Sequence, residues 1–211
     1  MSLPFTSEDF FGVFARYNEA VWPAQIALNA LALFCVVLAF RAGGRPGRWI
    51  SALLAALWFW TAVAYHFAFF SRINPAAWLF GGVALAGALA FLWLGTVRGR
   101  LRFSPVADWR GATGGILIAY ALLAYPLLGW LAGHRYPRAP TFGVPCPTAI
   151  FTLGILLLAA PPVPRVAYIV PVLWAAVGSV AAFALGVPED LGLLAAGIAA
   201  LVAAFIPRAP K

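Results

Sequence analysis

The chain has 211 residues, of which 64% are hydrophobic and only 9% charged. A soluble domain carries roughly 25% charged residues, so the bilayer has to be the solvent for most of this one. The net charge of +8 does not indicate nucleic acid, because the basic residues form short clusters between apolar runs and no stripe with interleaved aromatics.

Residues 7–17 read as a short amphipathic helix lying in the membrane interface. Ser7 is the expected N-cap, Glu8 and Asp9 sit in the first turn where they favour the helix dipole, and Phe10, Phe11 and Phe14 form the apolar face. With Glu8, Asp9 and Glu19 set against Arg16 alone, the positive n-region of a cleavable signal is missing. Seven apolar runs follow, at 20–40, 49–70, 76–97, 113–132, 145–160, 166–185 and 190–206. A span needs about 20 residues. The fifth run is short and opens on Pro145 and Pro147, so it is either a short span or a half-helix entered from a loop at membrane depth. The expected fold class is all-α: a polytopic transmembrane helix bundle of about seven spans, one transmembrane domain over residues 1–211, with the interfacial helix in front of it.

Charge sets the orientation. Arg41, Arg45, Arg48, Arg98, Arg100, Arg102, Arg110, Arg165, Arg208 and Lys211 fall on one side, and Arg16, Arg72, Arg135 and Arg138 on the other. The positive-inside rule puts the richer side in the cytoplasm, with the N-terminus outside and the C-terminus inside. Cys35 and Cys146 then lie at different depths, too far apart for an intramolecular disulfide.

Three polar segments break the apolar monotony: 17–23, 65–75 and 133–148. All three face outward in this topology, as does the turn Gly186-Val187-Pro188-Glu189-Asp190. The strings YHFAFFSRINPAAWLFG, GHRYPRAPTFGVPCPTAIFTLG and GVPEDLGLL, together with LPFTSEDFFGVFARYNEAVWPAQ near the start, resemble a family of small polytopic bacterial inner-membrane proteins of unknown function. The resemblance covers nearly the whole chain and implies a bacterial inner-membrane location; it supplies no catalytic residues.

The candidate site residues come from these outward segments. Pro145 and Pro147 are tolerated in a first helical turn, whose N–H groups have no helical partner. The positive end of that helix would lie near Cys146, with Thr148 and Thr152 one turn apart on a shared face. Arg72, His134 and Arg138, with Asn74 nearby in the second segment, could join it to form an anion site. Pro-Cys-Pro also resembles, as a tripeptide only, the cysteine–proline motif of heavy-metal pumping ATPases; on that reading His66, His134 and Cys146 are the candidate ligands for a soft metal ion. His66 near the end of the second span is an ionisable group at membrane depth, and Glu19 is its candidate partner in a proton-sensing pair. Gln25, Asn29, Ser51 and Ser179 read as glue between helices, and the tryptophans, mostly at span ends, as interface anchors.

Lys211 is the only lysine, which excludes a retinal Schiff base within a span, and no GxSxG, HExxH or Walker loop is present. No cofactor is implied, and an enzyme is disfavoured. The function expected from sequence is a small-solute transporter or channel-like protein with an outward-facing site for a small anion or soft metal ion. The alternative is a non-transporting membrane subunit that binds a partner protein or lipid. The lipid bilayer is the one partner composition demands; a homo-oligomer is compatible with it and nucleic acid is not.

Overall fold

The computed structural model describes residues 4–41, 44–104 and 107–206. Its first helix, α1 (Ser7–Val21), begins on Thr6. The Thr6 hydroxyl accepts the Asp9 N–H at 3.1 Å, and the Asp9 carboxylate accepts the Thr6 N–H at 3.0 Å. This reciprocal capping box needs an acceptor three residues on, which Asp9 provides for Thr6 and not for Ser7, so the expected cap shifts by one residue. Phe10, Val13, Phe14 and Tyr17 recur at helical spacing and are buried. They pack with Tyr65, Phe70 and Val187. At Trp22-Pro23 the chain turns by 88° into α2 (Ala24–Ala39). Pro23 lacks the N–H that a continuing helix would use. α1 therefore lies across the direction of α2, as an interfacial helix would.

Four long rods follow the same logic of apolar runs ended by charge or glycine. α3 (Gly44–Trp60) continues through a π-helical turn at Thr61–Phe67. α4 (Ala77–Phe91) continues through a second at Leu92–Val97. α5 (Trp109–Ala119) passes through a third, Tyr120–Ala124, into α6 (Tyr125–Leu131). α8 (Val166–Leu185) ends on Gly186, whose φ of +71° supplies the left-handed cap that glycine adopts without penalty. A fifth rod is α9 (Leu191–Phe205), reached through the turn Pro188–Asp190. These five are long and apolar enough to cross a membrane, and α1 with α2 makes a sixth if the bent pair is one span. The chain is thus an all-helical, membrane-spanning protein in which five or six of the seven expected runs are long and apolar enough to cross.

The difference lies in α7 (Pro145–Leu157), a helix of 13 residues. At 1.5 Å per residue it is only about 20 Å long. The expected run to Ala160 ends early because Ala159–Ala160 forms a short strand, β2, pairing antiparallel with β1 (Arg102–Phe103). α7 is the centre of the bundle: every residue from Pro147 to Leu157 is buried. It packs against α5 through Gly114 and Gly154, and a methyl group added at Gly154 would stand 3.0 Å from the Gly114 carbonyl oxygen. Such small-residue contacts let helices approach where lipid supplies no hydrophobic drive. The N-terminal end of α7 meets α1 and the π-turn of α3, where the Thr61 hydroxyl donates to the Gly143 carbonyl at 3.3 Å. Its other end meets the arginine-rich end of the bundle, where the Ser104 N–H donates to Leu158 O at 3.3 Å.

Arginines gather at that end. The Thr96 hydroxyl donates to the Arg48 carbonyl at 3.1 Å, Arg110 donates to the Ile206 carbonyl, and Arg98 and Arg165 lie over the rings of Trp93 and Phe205. Arg208 and Lys211 fall outside the described residues. Of the tryptophans, Trp22, Trp49, Trp78, Trp93, Trp109 and Trp130 are exposed, as anchors should be, whereas Trp58 and Trp174 are buried inside the bundle. Ser51 and Ser179 do not bridge helices: each donates to the carbonyl four residues back in its own helix, at 2.7 and 2.6 Å.

Candidate functional site between two cavities

The turn between α8 and α9 carries Glu189 and Asp190, 0% and 3% exposed. Pro188 starts the turn, and both acidic residues after it are buried in the bundle. Glu189 Oε1 lies 2.7 Å from His134 Nδ1. Its backbone carbonyl accepts the Tyr120 hydroxyl at 2.8 Å. The Tyr125 hydroxyl donates to Asp190 Oδ1 at 2.5 Å. The Cys146 thiol lies beside the same carboxylate. Among the described residues the close acid–base contacts are His134–Glu189, an ion pair only if the imidazole is protonated, and Arg138–Glu8, so no arginine neutralises either buried acid. Ionisable groups inside a membrane bundle are costly and mark functional sites by default.

The two carboxyl groups serve different cavities. The first, of about 350 Å³, is lined by Phe5, Phe10 and Phe14 from the α1 region, Tyr65 and Phe70 after α3, Phe80 of α4, Cys146 of α7 and Trp174 of α8, with Asn74 and Asp190. It is an aromatic chamber with one carboxylate. The second, of about 260 Å³, lies between α2, α6 and the loop before α7, and is lined by Gln25, Asn29, Tyr125, Thr141 and Glu189. Tyr125 borders the second cavity while its hydroxyl holds the acid of the first.

Several expected site residues are gathered here. Asn74 and Cys146 line the first cavity. His66 is fully buried just behind it, in the π-turn, with its ring 5.0 Å from that of Trp174 and neither nitrogen hydrogen-bonded. π-turns are frequent at functional sites. His134 reaches the site through Glu189. Thr148 is buried with its hydroxyl unbonded. Thr152 does a structural job, accepting the Trp58 indole N–H at 3.1 Å and donating to Thr148 O at 2.7 Å.

Other expectations are corrected. Glu19 is exposed, and His66 has no hydrogen-bond partner, so the Glu19–His66 pair is not formed. Arg72 is exposed over the Phe69 ring, and Arg138 pairs with Glu8 at 2.8 Å, so neither joins His134 at the start of α7. The group facing Cys146 there is an acid, which an anion would avoid. The Arg138 guanidinium, through its hydrogen bond and then its charge, holds the exposed Glu8 carboxyl below the usual carboxylate range. The metal trio is not assembled either: His66 packs on Trp174, His134 on Glu189 and Cys146 on Asp190, and no group of three or more His, Cys, Asp or Glu suited to a metal ion occurs among the described residues.

Residues that sequence reasoning missed complete the site. Asn18, fully buried on α1, donates to the carbonyls of Pro137 and Ala139 at 2.6 and 2.7 Å and accepts the Thr141 hydroxyl at 2.7 Å. Gln25 donates to the Asn18 carbonyl at 3.0 Å. Asn18 therefore pins the loop before α7 against α1. A polar residue preceding an interfacial helix's end looks like surface in sequence, and nothing local distinguishes Asn18 from Glu19.

These features define a class: a membrane-spanning helical bundle whose α1 end encloses binding-sized cavities around buried acids. The chain belongs to a family of unknown function, DUF6064, whose model matches residues 7–209. No curated protein and no solved structure matches it.

Proposed function

We propose that this protein binds an amphiphilic organic cation in the aromatic cavity beside Asp190 and carries it across the bacterial inner membrane. The observation that carries the reading is the Asp190 carboxylate, without a basic partner, in an apolar chamber walled by aromatic rings and by the aliphatic side chains of α8. Cations are attracted to aromatic faces by about 2 kcal/mol or more when desolvated, and a carboxylate adds the counter-charge. Apolar volume with a few convergent polar groups is the usual form of a small-molecule site. The same charge pattern argues against the anion and soft-metal solutes that the sequence suggested.

The reading includes seven passes through the membrane as one embedded unit, N-terminus outside. It is supported by α7 joining the α1 end to the arginine-rich end, and by the positive-inside rule applied to those arginines. Benzyltrimethylammonium is a suitable probe. Equilibrium dialysis with the detergent-purified chain is expected to give saturable binding that Asp190→Asn weakens about ten- to hundredfold, the loss of one charge-assisted contact. Equal binding by the variant, or preference for benzoate, would overturn the proposal. Uptake into proteoliposomes tests the transport step.

One observation favours a second reading. Val177, Val180, Ala181 and Ala184 of α8 form an apolar wall of the cavity, and Val180 is exposed on the bundle surface. A lipid acyl chain or a partner's helix could enter there, as in a non-transporting subunit. Cation binding with no flux, together with co-purified lipid or a stoichiometric partner, is the outcome that reading requires.

A further inference from the structure

We infer that the second cavity is a separate site for a small monovalent cation, sodium in the first instance, held by Glu189 Oε2 and Gln25 Oε1. Both residues line the cavity, both are more than nine-tenths buried, and these two oxygens have no hydrogen-bond donor. A buried acceptor left unsatisfied is expensive. Two of them in one cavity require a ligand that brings positive charge or protons to share.

The orientation of the Gln25 amide follows from its neighbours. Asn18 turns its Nδ2 to the Pro137 and Ala139 carbonyls and its Oδ1 to the Thr141 hydroxyl. Gln25 Nε2 then donates to Asn18 O and Asn18 Oδ1, at 3.0 and 3.4 Å. Only the Gln25 oxygen is left to face the cavity, and a flipped amide would set acceptor against acceptor. The donor set is oxygen, which suits hard cations and not copper or zinc. It contains one carboxylate, whose other oxygen is already engaged by His134, so the charge matches a monovalent ion. A cavity of about 260 Å³ leaves room for the ion to keep several waters, at roughly 30 Å³ each.

This site does not depend on the reading of the aromatic chamber, and the two fail separately. The test is equilibrium binding of radioactive sodium to the purified full-length chain, with choline as the replacing cation. About one ion per chain should bind saturably, displaced by unlabelled sodium and not by choline. Glu189→Gln is expected to weaken binding about tenfold or more. Gln25→Met removes the second oxygen without touching the carboxylate and should give a loss of the same direction. Asp190→Asn should leave sodium binding intact while weakening the organic cation about ten- to hundredfold. Should Glu189→Gln not fold, the Gln25→Met result decides. Absence of saturable sodium binding, or binding unchanged in whichever of the two variants folds, overturns the inference and leaves water on these oxygens.

Discussion

Gly143 shows how much can rest on one residue. Its φ is +105°, a region costing a residue with a side chain about 1–2 kcal/mol. A methyl group there would also stand 2.5 Å from the Leu28 side chain. Gly143→Ala should therefore destabilise the protein by about 2–4 kcal/mol, strain and overpacking together. Gly82→Ala on α4, where a methyl meets nothing within 4 Å, should be neutral or mildly stabilising. Unfolding midpoints in a denaturing-detergent titration compare the two. The residue scale is also where the sequence is least legible. Asn74 and Cys146, singled out as uncommon polar groups in apolar surroundings, line the first cavity, and His134 meets Glu189. Glu189 and Asp190 counted only as outer-loop charges, because a sequence does not tell whether a turn folds its side chains into water or into the bundle. Glu19 and Asn18 are neighbours of similar polarity with opposite fates, decided by a loop more than a hundred residues away.

Among the elements, α7 determines the architecture. Pro145 and Pro147 start it without cost and Gly154 lets α5 approach. A side chain at Gly154 would meet Ile118 at 2.9 Å as well as the Gly114 carbonyl. Gly154→Val should push the two helices apart and destabilise by about 1–3 kcal/mol, read as a lower thermal midpoint in detergent, whereas the same change at the open position Gly115 of α5 should cost little. The long rods α3, α4, α8 and α9 were readable from apolar length, because lipid allows no other solution for such runs. The end of α7 was not: Leu-Leu-Leu-Ala-Ala reads equally as helix or buried strand, and only the remote partner β1 decides. The helix expected over 7–17 is four residues longer, since Tyr17-Asn18-Glu19-Ala20 looks polar but continues α1 up to the Trp22-Pro23 bend.

For the whole molecule, the charge asymmetry makes a direct prediction. Single cysteines replacing Arg48 or Arg165, in a background lacking Cys35 and Cys146, should resist a membrane-impermeant maleimide added outside intact cells. Those replacing Glu19 or Arg135 should react. The reverse pattern would invert the proposed orientation without touching the fold. Both cavities lie at the end expected to face outward, so orientation also decides which compartment they sample.

The 88° bend between α1 and α2 has a consequence for how a solute would arrive. α1 runs at 88° to α2, Phe10 and Phe14 line the aromatic chamber, and Val180 of the α8 wall is exposed on the bundle surface. In the proposed embedding, with α1 lying along the interface, the way in is sideways, from the leaflet, and not down an aqueous funnel. For an amphiphilic cation the concentration that counts is the one dissolved among the headgroups, so a compound's partitioning into the membrane would govern occupancy as strongly as its fit to the chamber.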